Sequence, residues 1–350
     1  MRVTLSDIAR RMGVTPSTVQ RALNNMPGVS PEKRAAIQGV AHEMGYRRNF
    51  IASSLKKGAP KIALVLPEPD GANRYYATYL WAGVGNYLDG FTEFNFTIYK
   101  YRYPRVPGGL GPKLKQVLQE HGNELDGLLT MGTNEPEVLW ALNELKAKNV
   151  PVVLVGTDAE ESGRLCCVKT HDDMAGRMAA DLLIQFYQPG PQSHVIITGD
   201  FTIPDQYSNA QGFEKQVLES GYPLEILKLN NHADLDVVKQ NIKNVIASGL
   251  NVCAVYSCSA RNTVPMCKAV QEVGEVGRQI RTIGSDIFPE SIQYIRQNVL
   301  RAIIHKHPAA QAQAGMQTLV EYLLKDTLPQ QDVRLVESVI AMKSNIECFV

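Results

Sequence analysis

Long apolar runs are missing from this chain of 350 residues. The longest, Lys61–Pro67 and Pro151–Val155, fall far short of the roughly 20 residues that a bilayer-spanning helix needs. The first eleven residues interleave charges with apolar side chains and hold no apolar core of signal-peptide length, so a cytoplasmic location is expected and no membrane partner. Cysteine is scarce as well. The six, at positions 166, 167, 253, 258, 267 and 348, form no Cys-x-x-Cys pair and no metal-ligand spacing, which argues against a disulfide framework and a structural metal. Catalytic signatures are also lacking. There is no Gly-x-Ser-x-Gly, and the first predicted strand runs into Pro67-Glu68-Pro69-Asp70-Gly71 rather than a glycine-rich phosphate loop. Gly83-Val84-Gly85 lacks a third spaced glycine and reads as helix packing. His171-Asp172-Asp173 has no second His at helical spacing and reads as the cap of a helix starting near Met174. His305 and His307, alternating before Pro308, read as partly buried residues at a strand end. No catalytic role, cofactor or metal is expected.

What the chain does have is an uneven charge. Residues 1–60 carry ten Lys or Arg against three acids, a balance of +7, whereas residues 61–350 carry 26 basic against 32 acidic side chains, a balance of −6. A small basic head on a mildly acidic body suits a head that meets a polyanion. The length, at about 150 residues per domain, fits two or three units.

Three short helices are predicted in the head. Thr4 caps the first, in which Leu5, Ile8, Ala9 and Met12 share one face, and Gly13 stops it. Thr15 and Pro16 open the second, which runs through Val19, Ala22 and Leu23 to about Asn24. The third begins at Ser30-Pro31-Glu32, turns Ile37, Val40, Ala41 and Met44 inward, and ends at Gly45. Two helices joined by a glycine-containing turn, with a third closing the core, describe a helix-turn-helix unit. Pro16, Ser17, Gln20, Arg21 and Asn24 would form the outer face of its second helix, short or basic side chains suited to base edges.

These residues closely resemble the headpiece of the lactose-repressor (LacI/GalR) family of bacterial transcription regulators. The resemblance rests on Thr4–Ala9 (TLSDIA), Gly13–Asn24 (GVTPSTVQRALN), Val29–Arg34 (VSPEKR), Gly45-Tyr46 and Ala52–Leu55 (ASSL). It implies base reading by Pro16, Ser17 and Arg21, with Gln20 (where the family more often has Ser) as a possible addition. It implies phosphate contacts at Thr4, Thr15, Thr18 and Asn24. Residues 49–57 would form a hinge helix, with Leu55 as a minor-groove wedge and Lys56 as its polar neighbour. Gly58-Ala59-Pro60 makes a linker. The expected division is therefore a DNA-binding headpiece over 1–48, hinge and linker over 49–60, and a two-lobed body over 61–345.

The body alternates short apolar runs with amphipathic stretches, the rhythm of parallel sheets covered by helices on both faces. It too resembles the family's effector domain, which is similar to periplasmic sugar-binding proteins, through Glu124–Leu129, Val150–Gly156, Ala175–Leu183, Gln211–Phe213, Ile283–Asp286 and the helix start between Pro308 and Gly315. The implied α/β fold is two Rossmann-like lobes of the periplasmic-binding-protein type joined by three crossovers. The first lobe would take about 61–159 and 290–322, the second about 160–289 and the C-terminal tail. Positional carry-over names Asn73, Tyr75, Tyr76, Thr157, Asn209, Asn262, Asp286 and Lys306 as effector candidates. Thr157 and Asn209 stand where such binders often have Arg, and Lys306 where Gln is common; a phosphorylated or acidic sugar would use that lysine as a point charge.

The expected function is a DNA-binding transcription regulator, a homodimeric repressor of a double-stranded operator, controlled by a sugar or sugar derivative bound between the lobes. Use of the ligand as corepressor is the nearest alternative. A sugar-binding or transport component is a further one, opposed by the basic head, and an enzyme would need a catalytic constellation that the sequence does not display.

Overall fold

The computed structural model describes residues 5–23, 27–44, 59–91, 95–186, 192–230 and 234–350. The chain divides into two compact units, Met1–Gly58 and Ala59–Val350.

The first unit is built from α1 (Leu5–Met12), α2 (Pro16–Leu23) and α3 (Pro31–Glu43). Its core is Ile8, Ala9, Val19, Ala22, Ile37 and Ala41, all buried. Gly13 takes a left-handed φ of 62°, and Val14 N donates to the Ala9 carbonyl at 3.0 Å, the bond by which a left-handed glycine closes a helix end. Thr15 Oγ1 then accepts from Thr18 N at 3.2 Å and caps α2. The turn between the two helices is thus fixed by residues local to it. The expectations for Thr4, Asn24, Leu55 and Lys56, and for the hinge helix, lie outside the described residues.

In the second unit β1 (Lys61–Pro67), β2 (Thr97–Tyr103), β3 (Gly127–Thr130), β4 (Val152–Val155) and β5 (Cys166–Thr170) form a sheet with β11 (Val333–Val336), in the order β11-β5-β4-β3-β1-β2. All its pairings are parallel. A second sheet takes β6 (Ser193–Gly199), β7 (Leu224–Asn230), β8 (Asn251–Ser257), β9 (Arg281–Ser285), β10 (Ala302–His305) and β12 (Val339–Met342), in the order β12-β10-β9-β8-β6-β7. Only β12 runs antiparallel, against β10. Both sheets reverse their winding beside the first strand, between β1 and β3 and between β6 and β8. In open α/β sheets ligands bind beyond the strand carboxyl ends at such reversals.

Helices cover the sheets: α4 (Arg74–Asp89), α5 (Leu110–His121), α6 (Pro136–Ala147), α7 (Asp172–Phe186), α8 (Pro204–Ser220), α9 (Leu235–Ala247), α10 (Ala260–Glu272), α11 (Glu275–Gln279), α12 (Pro289–Arg296) and α13 (Pro308–Lys325). Backbones approach closely where glycines sit. A Cβ on Gly83 of α4 would lie 2.0 Å from the Ala309 carbonyl of α13, and one on Gly176 of α7 would lie 1.8 Å from the Asn209 carbonyl of α8. This accounts for Gly83 and for the Ala175-Gly176 and Gly212-Phe213 pairs of the sequence.

The lobe boundaries differ from those expected. β5 pairs with β4 and β11, so the first lobe continues to Thr170 and the first crossover falls at His171. Residues 289–305 complete the second lobe, because β10 pairs with β9 and β12. The chain then crosses back through Lys306 and His307 into α13, and crosses a third time between β11 and β12. The expected boundaries missed β5 because only a 3-10 turn, Glu160–Ser162, separates it from β4, so Cys166–Thr170 falls outside the alternation of strand and helix. His307 is not a strand residue: it has a φ of 52° and precedes Pro308 as the N-cap of α13.

Candidate functional site

On α2 the buried Val19 and Ala22 face the core, which turns Pro16, Ser17, Gln20 and Arg21 outward, all exposed. Helical geometry therefore gathers one short, polar and basic face. Thr15 Oγ1 lies 2.9 Å from both the Ser17 and Thr18 hydroxyls, so three hydroxyls cluster at the helix start.

In the body, the candidates converge on the strand carboxyl ends. Tyr76 extends from the first turn of α4 to Gly156, where an added Cβ would lie 2.4 Å from its hydroxyl, and the Arg105 guanidinium stands 5.1 Å from its ring centre. Burial pushes the Tyr76 phenol far up, against the pull of Arg105 and with the charges of Asp205, Asp286 and Asp172 adding to the rise. A first-lobe side chain thus shares its surroundings with acids at the second lobe and the crossover. Tyr75 goes elsewhere. It is buried against Phe288, ring centres 4.5 Å apart, in an apolar cluster with Ala260 and Val264, and Arg74 beside it pairs with Glu290 at 3.2 Å. Of the two tyrosines named as effector candidates, Tyr75 fastens one lobe to the other.

Thr157, also buried, donates its hydroxyl to the Gly132 carbonyl at 2.7 Å, a bond within the first lobe. Asn73 ends a short 3-10 turn, Gly71–Asn73, partly exposed and with no capping bond from its side chain. The second lobe holds the less satisfied groups. Asn209 Oδ1 accepts from the Tyr256 hydroxyl at 2.5 Å while its Nδ2 has no partner. Asn262 Nδ2 donates to Thr198 Oγ1 at 3.2 Å while its Oδ1 has none. Asp286, with a φ of 61°, accepts at Oδ1 from Lys306 N at 2.9 Å and faces His305 Nδ1 at 3.3 Å, leaving Oδ2 unpaired. Burial opposes the charge of Asp286, yet His305 and Lys306 outweigh it and hold the carboxyl below its usual value. Lys306 donates Nζ to the Cys258 carbonyl at 3.2 Å. Buried polar atoms left without partners cost stability, and several gathered at one topological switch indicate a place that a ligand completes.

Sequence reasoning missed three further groups. Asp172, assigned only to a cap, is buried at the first crossover. It accepts from Thr170 Oγ1 at 3.1 Å and pairs with Lys169 at 3.0 Å. The capping bond comes from its neighbour, Met174 N donating to His171 Nδ1 at 3.3 Å. Asp205, in the first turn of α8, has a buried and unpaired Oδ1. Burial first, and then the charge of Asp205, raises the Asp172 carboxyl above its ordinary value, with Lys169 and Lys306 pulling the other way. Arg105 carries no motif at all. The signal available for Asp205 was its spacing, four residues before Asn209 on one helix face.

Comparison with known proteins fits this geometry. Residues 4–49 match the family described as bacterial regulatory proteins, lacI family, and residues 113–327 match the periplasmic binding protein domain. The chain is 27% identical over 228 residues to catabolite control protein A of Priestia megaterium, an alignment that spans 64% of each chain. It is 26% identical over 275 residues to the HTH-type transcriptional regulator DegA of Bacillus subtilis, covering 77% of this chain and 76% of that one. In structure it resembles GanP, a glucose-galactose binding protein from Geobacillus stearothermophilus, with a TM-score of 0.70 at 23% identity over 82% of this chain and 99% of the other.

Proposed function

Because this chain belongs to the lacI family of bacterial regulatory proteins in its headpiece and to the periplasmic-binding-protein family in its body, we propose that it is a DNA-binding transcription regulator whose operator affinity is set by a small polyol held between the lobes. The observation that carries the reading is the exposed polar face of α2, formed by Ser17, Gln20 and Arg21 over a buried apolar one. Arg21 and Gln20 suit bidentate contacts to base edges, and the Thr15, Ser17 and Thr18 hydroxyls suit phosphate oxygens. Two copies related by a two-fold axis would place their α2 helices in successive major grooves of a near-palindromic site.

The body performs no chemistry in this reading. A ligand joining the two walls of the cleft favours one arrangement of the lobes, and it changes DNA affinity only by its differential affinity for the two states, typically about 1–3 kcal/mol. No helix among the described residues is long and apolar enough to cross a membrane, in keeping with a regulator that meets DNA in the cytoplasm. Repression relieved by ligand is the sense of control we favour. Selection from random duplex oligonucleotides tests the reading: the full chain is expected to enrich a two-fold-symmetric sequence, and Arg21→Ala to relax it at one position in each half-site. Enrichment of nothing by the native chain would overturn it.

A further inference from the structure

The start of α10 gathers donors that no motif marks. The helix follows β8 through Cys258 and Ser259, at the strand carboxyl ends where the cleft lies. Ser259 is its N-cap residue, extended at φ −137° and ψ 149°, yet the side chain makes no capping bond. Its Oγ is buried and unbonded, and the residue is 7% exposed. A serine at this position ordinarily accepts from an amide of the first turn; here the hydroxyl is left to another partner. No acid stands in that turn to neutralise the helix start, and Arg261 occupies it instead. A hydroxyl, a guanidinium and the positive end of a helix dipole together favour an anion.

Positive charge converges on this start from both lobes. Lys306, itself buried, donates Nζ to the Cys258 carbonyl at 3.2 Å, one residue before the cap. Arg105 comes from the loop after β2 in the first lobe. It lies against the Tyr76 ring and has no hydrogen-bonded partner among the described residues. Burial first, and then the charge of Arg105, pull the Arg261 guanidinium below its ordinary value, with Asp200 pulling the other way. Asp200 is engaged in turn, its Oδ1 accepting from Thr202 N at 3.1 Å and from Thr202 Oγ1 at 2.5 Å. Two guanidinium groups brought together from opposite lobes repel, and an anion between them reverses the sign of that interaction. The first turn of α10 also meets the first lobe directly, Ala260 packing with Tyr75. The acceptors left open elsewhere in the site, Asp205 Oδ1, Asn262 Oδ1 and Asp286 Oδ2, suit hydroxyls of the same ligand, and Asn209 Nδ2 is a further open donor.

We propose that Ser259 and Arg261 form an anion seat at the start of α10, faced from the first lobe by Arg105, and that the effector is a polyol carrying a phosphate or carboxylate that binds there. This rests on the reading of the cleft as an effector site and names the ligand's charge. It moves the anionic group from Lys306, whose ammonium is held by the Cys258 carbonyl, to Arg261. It also gives that group a mechanical part, since the anion offsets the repulsion that opposes the approach of Arg105 to Arg261.

The test uses the full chain with matched sets of pentoses and hexoses, each as the parent sugar, the sugar phosphate and the sugar acid. Melting shifts are read first, then calorimetric titration of whatever binds. The phosphate or the acid of some set is expected to bind at least tenfold more tightly than its parent, and which of the two does so identifies the anion. In Arg261→Gln that advantage should fall to within about threefold. Ser259→Ala, which removes a hydroxyl that has no partner in the unliganded chain, should reduce the advantage several-fold with the unliganded melting temperature unchanged, and so keeps the test sound if Arg261→Gln folds poorly. Parent sugars binding as tightly as their phosphates and acids, or an advantage unchanged in both variants, would overturn the inference and leave the effector reading standing. No response to any sugar of any charge would overturn both.

Discussion

The two lobes repeat one strand order, yet they meet the cleft with opposite chemistry. The first lobe presents groups that are already satisfied: Thr157 is bonded to the Gly132 carbonyl, Asp158 is clamped by Arg164, and Tyr75 lies under Phe288. The second presents Asn209, Asn262 and Asp286, each with a buried polar atom unpaired. In the proposed reading, this duplicated scaffold divides its labour, one lobe serving as a wall and the other as the surface that discriminates.

The largest expected effect tests what the lobes share. Both rely on a helix crossing that admits no side chain, so Gly83→Val and Gly176→Val should each cost about 3 kcal/mol or more by forcing backbones apart. The melting temperature should fall by several degrees in both. A fall in only one would mean that the other crossing is looser than its geometry.

Next comes what they do not share. Asp286→Asn, whose Oδ1 can still accept from Lys306 N, should weaken effector binding by about 2–3 kcal/mol, since a buried charged acceptor is lost, with little change in unliganded stability. Thr157→Val should do the reverse, lowering stability by about 1 kcal/mol through the orphaned Gly132 carbonyl and leaving affinity within about twofold. Titration calorimetry alongside melting separates the two. Equal losses of affinity would end the division between wall and discriminator.

Acid titration sharpens the contrast with a smaller effect. For Asp158, burial opposes the charge but Arg164 outweighs it, so the folded value lies below 3.8. That stabilisation is present above 3.8 and fades as the pH falls through the lower, folded value. For Asp172, burial and Asp205 raise the folded value above 3.8. Its penalty is therefore present at neutral pH and is relieved as the pH falls through that raised value. At pH 7 Asp158→Asn should lower the melting temperature and Asp172→Asn should raise it, and the second difference should vanish by about pH 4. The same sign for both would contradict the assignment.

The headpiece was legible almost residue by residue because its determinants are local: Gly13 at a helix stop, Thr15 and Pro16 at a helix start, and an apolar period of three and four. In the body the alternation of apolar runs with amphipathic stretches was legible, and α5 and α9 each bury one apolar face as that pattern implies. The edge strands β7 and β11 alternate with exposed positions and do not stand out as apolar runs, and β5 follows only a 3-10 turn rather than a helix. At the candidate site, Asp286 and Lys306 carried a motif, whereas Asp205 and Arg105 did not. Their roles depend on which helix starts lie side by side, and long-range packing alone decides that. Tyr75 shows the converse: its neighbours Phe288 and Glu290 lie more than 200 residues away, where no local pattern reaches.

The most direct test of the account is the affinity of the full chain for its selected operator, measured with and without a sugar that raises its melting temperature, in native protein and in Asp286→Asn. The account predicts a shift of about five- to 150-fold in the native chain, lost in the variant while operator binding itself is kept. An operator affinity indifferent to saturating ligand in the native chain would contradict it.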